Sequence, residues 1–165
     1  MPRIAVPDGK DPLVYAWTEV APDVSIPAAA YSDAVYQRSS LSLREFEAAR
    51  FRIARINDCL ICTEWRSGRD VSRRADESEL IDEEFYEHVG ADSDWSGFSE
   101  RERLAAEFAE RYATDHLSMD DRFWEELHRS FDDAELVDLA LCVASWLALG
   151  RFNRVFDLDG GCRVR

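Results

Sequence analysis

Apolar residues recur along this chain at intervals of three and four, with polar residues between them, and no convincing strand-type alternation is present. The pattern predicts an all-α protein. Prolines 2, 7, 12, 22 and 27 cluster at the start, so residues 1–27 read as an irregular N-terminal arm with one short helix over Asp11–Val20. A single helical domain then spans 28–156, and 157–165 form a tail. Within the domain, Ala28–Arg38 reads as a helix, followed by Ser42–Ile56. The latter opens on Ser42-Leu43-Arg44-Glu45, in which hydroxyl and carboxylate satisfy each other's free backbone amides. Asn57-Asp58 interrupts it, and a further helix is expected from about Cys59 to Arg69, with a short one ending near Val89.

The second half follows the same rules. Ser99-Glu100-Arg101-Glu102 is a second capping box, ahead of a face made of Leu104, Ala105, Phe108, Ala109 and Tyr112. Asp120–Ser130 is expected to turn Phe123, Trp124 and Leu127 inward. Asp132 or Asp133 caps a long helix through Leu149 and on towards Val155. Because Leu139–Leu149 is apolar nearly all round, this helix is expected to be the central and most buried one.

Length and charge narrow the functions. A chain of 165 residues, 46% hydrophobic, builds one domain with a real core. A formal net charge of -14 argues against a groove tracking phosphates and against an anionic membrane surface, so neither nucleic acid nor membrane is an expected partner. Met1–Lys10 has no apolar run of the signal-peptide type, and Leu139–Leu149 is too short to span a bilayer. These features point to a cytoplasmic protein. In that reducing compartment the four cysteines read as reactive thiols, ligands or core fillers rather than structural staples.

The chemistry concentrates at Cys59-Leu60-Ile61-Cys62. Thiols three residues apart share a helix face and can bridge, and free amides at a helix start favour the thiolate, which singles out Cys59. Arg66, one turn after Cys62 on a continuous helix, would instead favour a Cys62 thiolate. Upstream, Glu47 shares a stripe with Leu43, Phe51 and Ala54. Partial desolvation there would raise its pKa towards the range useful for proton transfer. Glu47 in an ion pair with Arg50 is the competing, structural reading. The dithiol likewise has bland alternatives: two small core residues, or half of a zinc site. Zinc is disfavoured because the other soft donors, Cys142, Cys162, His88, His116 and His128, form no second paired motif. Cys142 reads as core filling and Cys162 as a free thiol in the tail.

Three stretches resemble the carboxymuconolactone decarboxylase family, and within it the alkylhydroperoxidase D-like branch. They run from Ser42-Leu43-Arg44-Glu45-Phe46-Glu47 through Asn57-Asp58-Cys59 to Arg66, from Phe98-Ser99-Glu100-Arg101-Glu102-Arg103 through Ala109, and from Phe131-Asp132-Asp133 to Arg151-Phe152-Asn153. Together they cover about residues 28–156. The resemblance implies an all-helical subunit that assembles into dimers, trimers or hexamers. It also implies a thiol-dependent peroxidase or disulfide reductase with peroxiredoxin activity, working on an organic hydroperoxide or a disulfide and recycled by a dithiol electron donor. No cofactor and no metal are implied. By position, Cys62 matches the family's attacking cysteine, Cys59 the resolving one and Glu47 the proton-relay glutamate. Arg66 stands where that branch has its relay histidine, and arginine does not accept a proton at ordinary pH. Either Arg66 replaces the relay by electrostatics, or it pairs with Glu47 and leaves the site weak. Decarboxylation is disfavoured, since that branch relies on histidine and lacks the dithiol. The alternative from another class is a non-catalytic helical oligomer whose dithiol is a redox sensor or merely packed.

Overall fold

A computed structural model describes residues 1–71, 81–91 and 94–158. Cys162, most of the tail and residues 72–80, which begin the charged sequence 73–84 ahead of the short helix expected to end near Val89, lie outside the described residues. Nine α-helices and no strand occur among the described residues. They are α1 (Pro12–Tyr15), α2 (Pro22–Arg38), α3 (Leu43–Ile56), α4 (Leu60–Glu64), α5 (Ser67–Asp70), α6 (Glu83–His88), α7 (Glu100–Thr114), α8 (Asp121–Ser130) and α9 (Asp133–Val155). α1 runs directly into a π-type turn, Ala16–Val20, so the short helix expected over Asp11–Val20 is present in this composite form.

The caps behave as local chemistry dictates. Ser42 and Ser99 each form a full capping box, with Glu45 and Glu102 respectively, and Asp132 forms a third with Glu135. Such caps contribute about 1 kcal/mol each. α2 departs from expectation by beginning at Pro22, inside the stretch read as an irregular arm. Pro22 suits the first helical position, where no amide is required. Pro27, in the second turn, forfeits one helical hydrogen bond. Packing of α2 against α9 offsets that loss.

α3, not α9, is the central helix. Ten of its residues are buried, among them the charged Glu45, Glu47 and Arg50. One side of α3 (Phe46, Ala49, Ile53) joins Leu104, Phe108, Leu127, Leu139 and Trp146 in the main core. The opposite side (Ala48, Phe51) packs on Phe85, Tyr86 and Val89 of the α6 region. The hydrophobic pattern misranks the two helices because it counts charge as a surface signal, whereas α3 carries its charges inward as pairs. Glu45 accepts from Arg101, which also donates to Glu135 at 2.7 Å. α9, conversely, leaves Val137, Leu141 and Val155 exposed on its outer side. Trp124 also stands 37% exposed rather than inward, while Phe123 and Leu127 are buried as expected.

α3 ends in a tight turn that sets up the thiols. Asp58 adopts a left-handed conformation (φ 54°) that aspartate tolerates better than most residues. Its carboxylate accepts from Arg154 at 3.3 Å, tying the turn to the end of α9. The helix expected from Cys59 to Arg69 is broken. α4 stops at Glu64, Trp65 and Arg66 are extended, and α5 begins at Ser67.

Candidate functional site: the dithiol and its aromatic cavity

Cys59 and Cys62 are joined as a disulfide across the first turn of α4. Cys59 is its N-cap, and its sulfur accepts from the Cys62 amide at 3.3 Å. The two sulfurs differ in access. Cys59 is fully buried, whereas Cys62 is half-buried and borders a cavity of about 210 Å³. Gly150 of α9 leaves room for Asn57 beside the dithiol turn: a Cβ there would come within 2.8 Å of Asn57 Nδ2, while Cys62 Sγ would stand at an ordinary contact distance of 3.5 Å. Asn57 is fixed, since its amide donates to the carbonyls of Trp146 (3.0 Å) and Leu147 (3.3 Å) and its oxygen accepts from Arg151.

Four aromatic side chains, Trp17, Tyr36, Trp65 and Trp146, line the cavity together with Cys62 and the aliphatic Ile53, Ile61 and Leu149. Trp17 reaches it from the N-terminal segment, held by its indole N–H donating to Asn153 at 2.9 Å and by edge-on contact with Phe152. Burial pushes the Tyr36 phenol up to about 12, so it presents a neutral hydroxyl at ordinary pH. Of the residues lining the cavity, only Arg50 is charged.

Glu47 does not border this cavity and is completely buried. Arg50 binds it in a fork, Nε and a terminal nitrogen each donating at 2.7 Å. The Ser67 and Tyr86 hydroxyls complete its hydrogen bonding. Burial alone would raise the Glu47 carboxyl, but the Arg50 charge and these hydrogen bonds outweigh it and hold the pKa below the usual carboxylate value. The expectation of a raised pKa is therefore corrected: Glu47 is a spent anion. The same pairing holds Arg50 charged although it is buried.

Arg50 uses its remaining donors on the dithiol turn, giving hydrogen bonds to the carbonyls of Cys62 (2.6 Å) and Trp65 (2.9 Å). α3 thus holds the end of α4 through a neutral buried pair. Glu47 and the dithiol are brought into one network, with Arg50 between them.

Arg66 does not join it. The break in the helix at Trp65–Arg66 turns its guanidinium towards α6, where it pairs with Glu83 at 2.8 Å and lies 3.9 Å from the centre of the Tyr86 ring. Another of its donors caps the Thr63 carbonyl at 2.6 Å. Both roles foreseen for Arg66, beside Cys62 or against Glu47, assumed a continuous helix; in the structure Arg50 is the partner of Glu47.

Trp17, Ser67, Tyr86 and Gly150 were not anticipated at the site. Gly150 carried a signal, an isolated glycine within an apolar helix, which marks close approach of another group. The others are brought in by tertiary packing, and local sequence carries no sign of them. Cys142 is buried in the main core, its thiol donating to Asp138 at 3.4 Å, in keeping with core filling. Among the described residues, no group of three or more His, Cys, Asp or Glu side chains is placed to hold a metal ion. No helix among them is long and apolar enough to cross a membrane. Comparison of the chain with protein families, with curated proteins and with solved structures found no match in any of the three.

Proposed function

We propose that this protein is a thiol-dependent peroxidase or disulfide reductase of the alkylhydroperoxidase D-like type, working through the Cys59–Cys62 pair. The observation that carries the reading is the asymmetry of the two sulfurs: an accessible Cys62 at an aromatic cavity, backed by a buried Cys59 at bonding distance. In the reduced state the Cys62 thiolate attacks the terminal oxygen of a hydroperoxide. The O–O bond breaks, the alkoxide leaves and takes a proton from water, and Cys62 becomes a sulfenic acid. Cys59 then attacks the Cys62 sulfur and hydroxide leaves as water, so the dithiol has supplied the two electrons. A cellular dithiol restores it. One donor thiol attacks Cys62, the more accessible sulfur, and releases Cys59 as thiol. The second donor thiol then attacks the mixed disulfide on the donor sulfur, releasing Cys62 and leaving the donor oxidised.

Glu47 has no free lone pair with which to relay protons in this scheme. Its task is to keep Arg50 in place, so that Arg50 holds the turn carrying Cys62. That same locking of Glu47 favours the alternative reading, a redox-sensing or structural dithiol with no peroxidase turnover. A single-turnover reaction of the reduced protein with an organic hydroperoxide, followed by mass spectrometry of the Cys59–Cys62 bond, separates the two. The peroxidase reading requires disulfide formation well above the rate of an ordinary exposed thiol, abolished in Cys62→Ser. A rate no greater than that of a simple thiol sinks it and leaves the structural dithiol.

A further inference from the structure

The arginines on the α7 side are already engaged, Arg52 with Glu110, and Arg103 and Arg111 sharing Glu107. The cavity at Cys62 goes further, because its size, its walls and one unsatisfied group converge on a ligand. An apolar cavity of about 150 Å³ accepts a benzene molecule. The cavity here, about 210 Å³, has room for a ring bearing a short branch. Trp17, Tyr36, Trp65 and Trp146 supply flat apolar faces suited to an aromatic guest.

Ser145 borders the same cavity from α9. It is only 1% exposed, and its hydroxyl has no hydrogen-bond partner among the described residues. A serine inside a helix ordinarily bonds back to the carbonyl four residues earlier. Here that carbonyl, of Leu141, receives the Tyr31 hydroxyl at 2.6 Å. A buried hydroxyl left unpaired is costly, and beside a cavity it gains a partner when a polar group of a ligand arrives. A hydroxyl both donates and accepts, which matches an O–OH or C–OH group.

We infer that this cavity is the recognition site for the organic half of the substrate: a single aromatic ring with a short branched carbon carrying the reacting oxygen, its polar end hydrogen-bonded by Ser145. This rests on the peroxidase reading for the reaction but not for the binding. Hydrogen peroxide would leave the aromatic walls unfilled, so the site discriminates in favour of an aromatic hydroperoxide.

Two measurements test it. First, 2-phenyl-2-propanol, the unreactive alcohol matching such a substrate, is titrated against the disulfide form by ligand-detected NMR. Saturable binding is expected, weakened roughly 3- to 10-fold in Ser145→Ala and more strongly in Leu149→Trp, which fills the cavity. No saturable binding, or binding equal in the parent and in both variants, overturns the site. Ser145→Ala keeps the test decisive if the larger replacement disturbs folding. Second, the reduced protein is reacted with cumene hydroperoxide and with hydrogen peroxide. A preference for the aromatic hydroperoxide of at least about tenfold is expected, falling in Leu149→Trp. Equal rates in the parent overturn the recognition proposal while leaving a dithiol peroxidase. Binding of the alcohol without reaction of either peroxide keeps the aromatic site and overturns the peroxidase reading.

Discussion

Replacing Glu47 by Gln probes the buried pair at the centre of α3. The change is nearly isosteric, so it removes charge while leaving volume in place. Arg50 then remains charged, with almost none of its surface reaching water, and is left with neutral acceptors alone, the Cys62 and Trp65 carbonyls and the glutamine amide oxygen. Breaking a buried pair from one side costs about 3–5 kcal/mol. At roughly 2–4 °C of midpoint per kcal/mol for a chain of this size, melting should fall by about 6–20 °C. Replacing both members, Glu47→Gln with Arg50→Met, removes the stranded charge but leaves the Cys62 and Trp65 carbonyls without their donor. The double variant should therefore be more stable than Glu47→Gln alone and less stable than the parent. Urea unfolding of the oxidised protein, followed by circular dichroism, measures all three. The sign with pH is also fixed. The folded carboxyl sits below its ordinary value of 4.5, so its contribution is complete above that pH and fades as pH falls through the folded value. The gap between parent and Glu47→Gln should narrow on acidification below about pH 4.5. A loss smaller than about 1 kcal/mol at neutral pH, or a gap independent of pH, would refute the reading of Glu47 as a locked structural anion.

Other consequences are independent of that pair. Gly150→Ala gains about 1 kcal/mol of helix propensity but drives a methyl group to 2.8 Å from a hydrogen-bonded Asn57 amide. Overpacking of about 1–3 kcal/mol should win, giving a net loss by thermal melting; a more stable variant would show that Asn57 moves freely. Arg66→Gln loses a half-exposed ion pair and an aromatic contact, and should cost about 1 kcal/mol. It should shift the thiol pKa of reduced Cys62 by less than about half a unit, read from the pH dependence of alkylation; a larger shift would return Arg66 to the site. In the reduced protein, iodoacetamide should modify Cys62 at least about tenfold faster than Cys59, with Cys142 protected until unfolding, as followed by mass spectrometry. Preferential modification of Cys59 would reverse the assignment of the attacking sulfur.

Helix starts and the spacing of the thiols are local matters. Ser42, Ser99 and Asp132 start helices because a side-chain oxygen within three residues satisfies free amides, whatever lies further away. The three-residue spacing of Cys59 and Cys62 places two sulfurs within bonding reach by the same local logic. The all-helical class follows from apolar spacing summed over many turns. Tertiary structure alone decided where charge could be hidden. Glu47 and Arg50 face inward because each neutralises the other, and this makes a charged helix the centre of the fold while a more apolar α9 stays partly exposed. The direction of Arg66 likewise depended on the end of α4 at Glu64 and on Glu83 and Tyr86, seventeen and twenty residues away. Periodicity assigns a residue to a face of its own helix. It carries no information about the residue that meets that face from elsewhere in the chain, and that meeting sets a pKa, opens a cavity and exposes one sulfur of a pair.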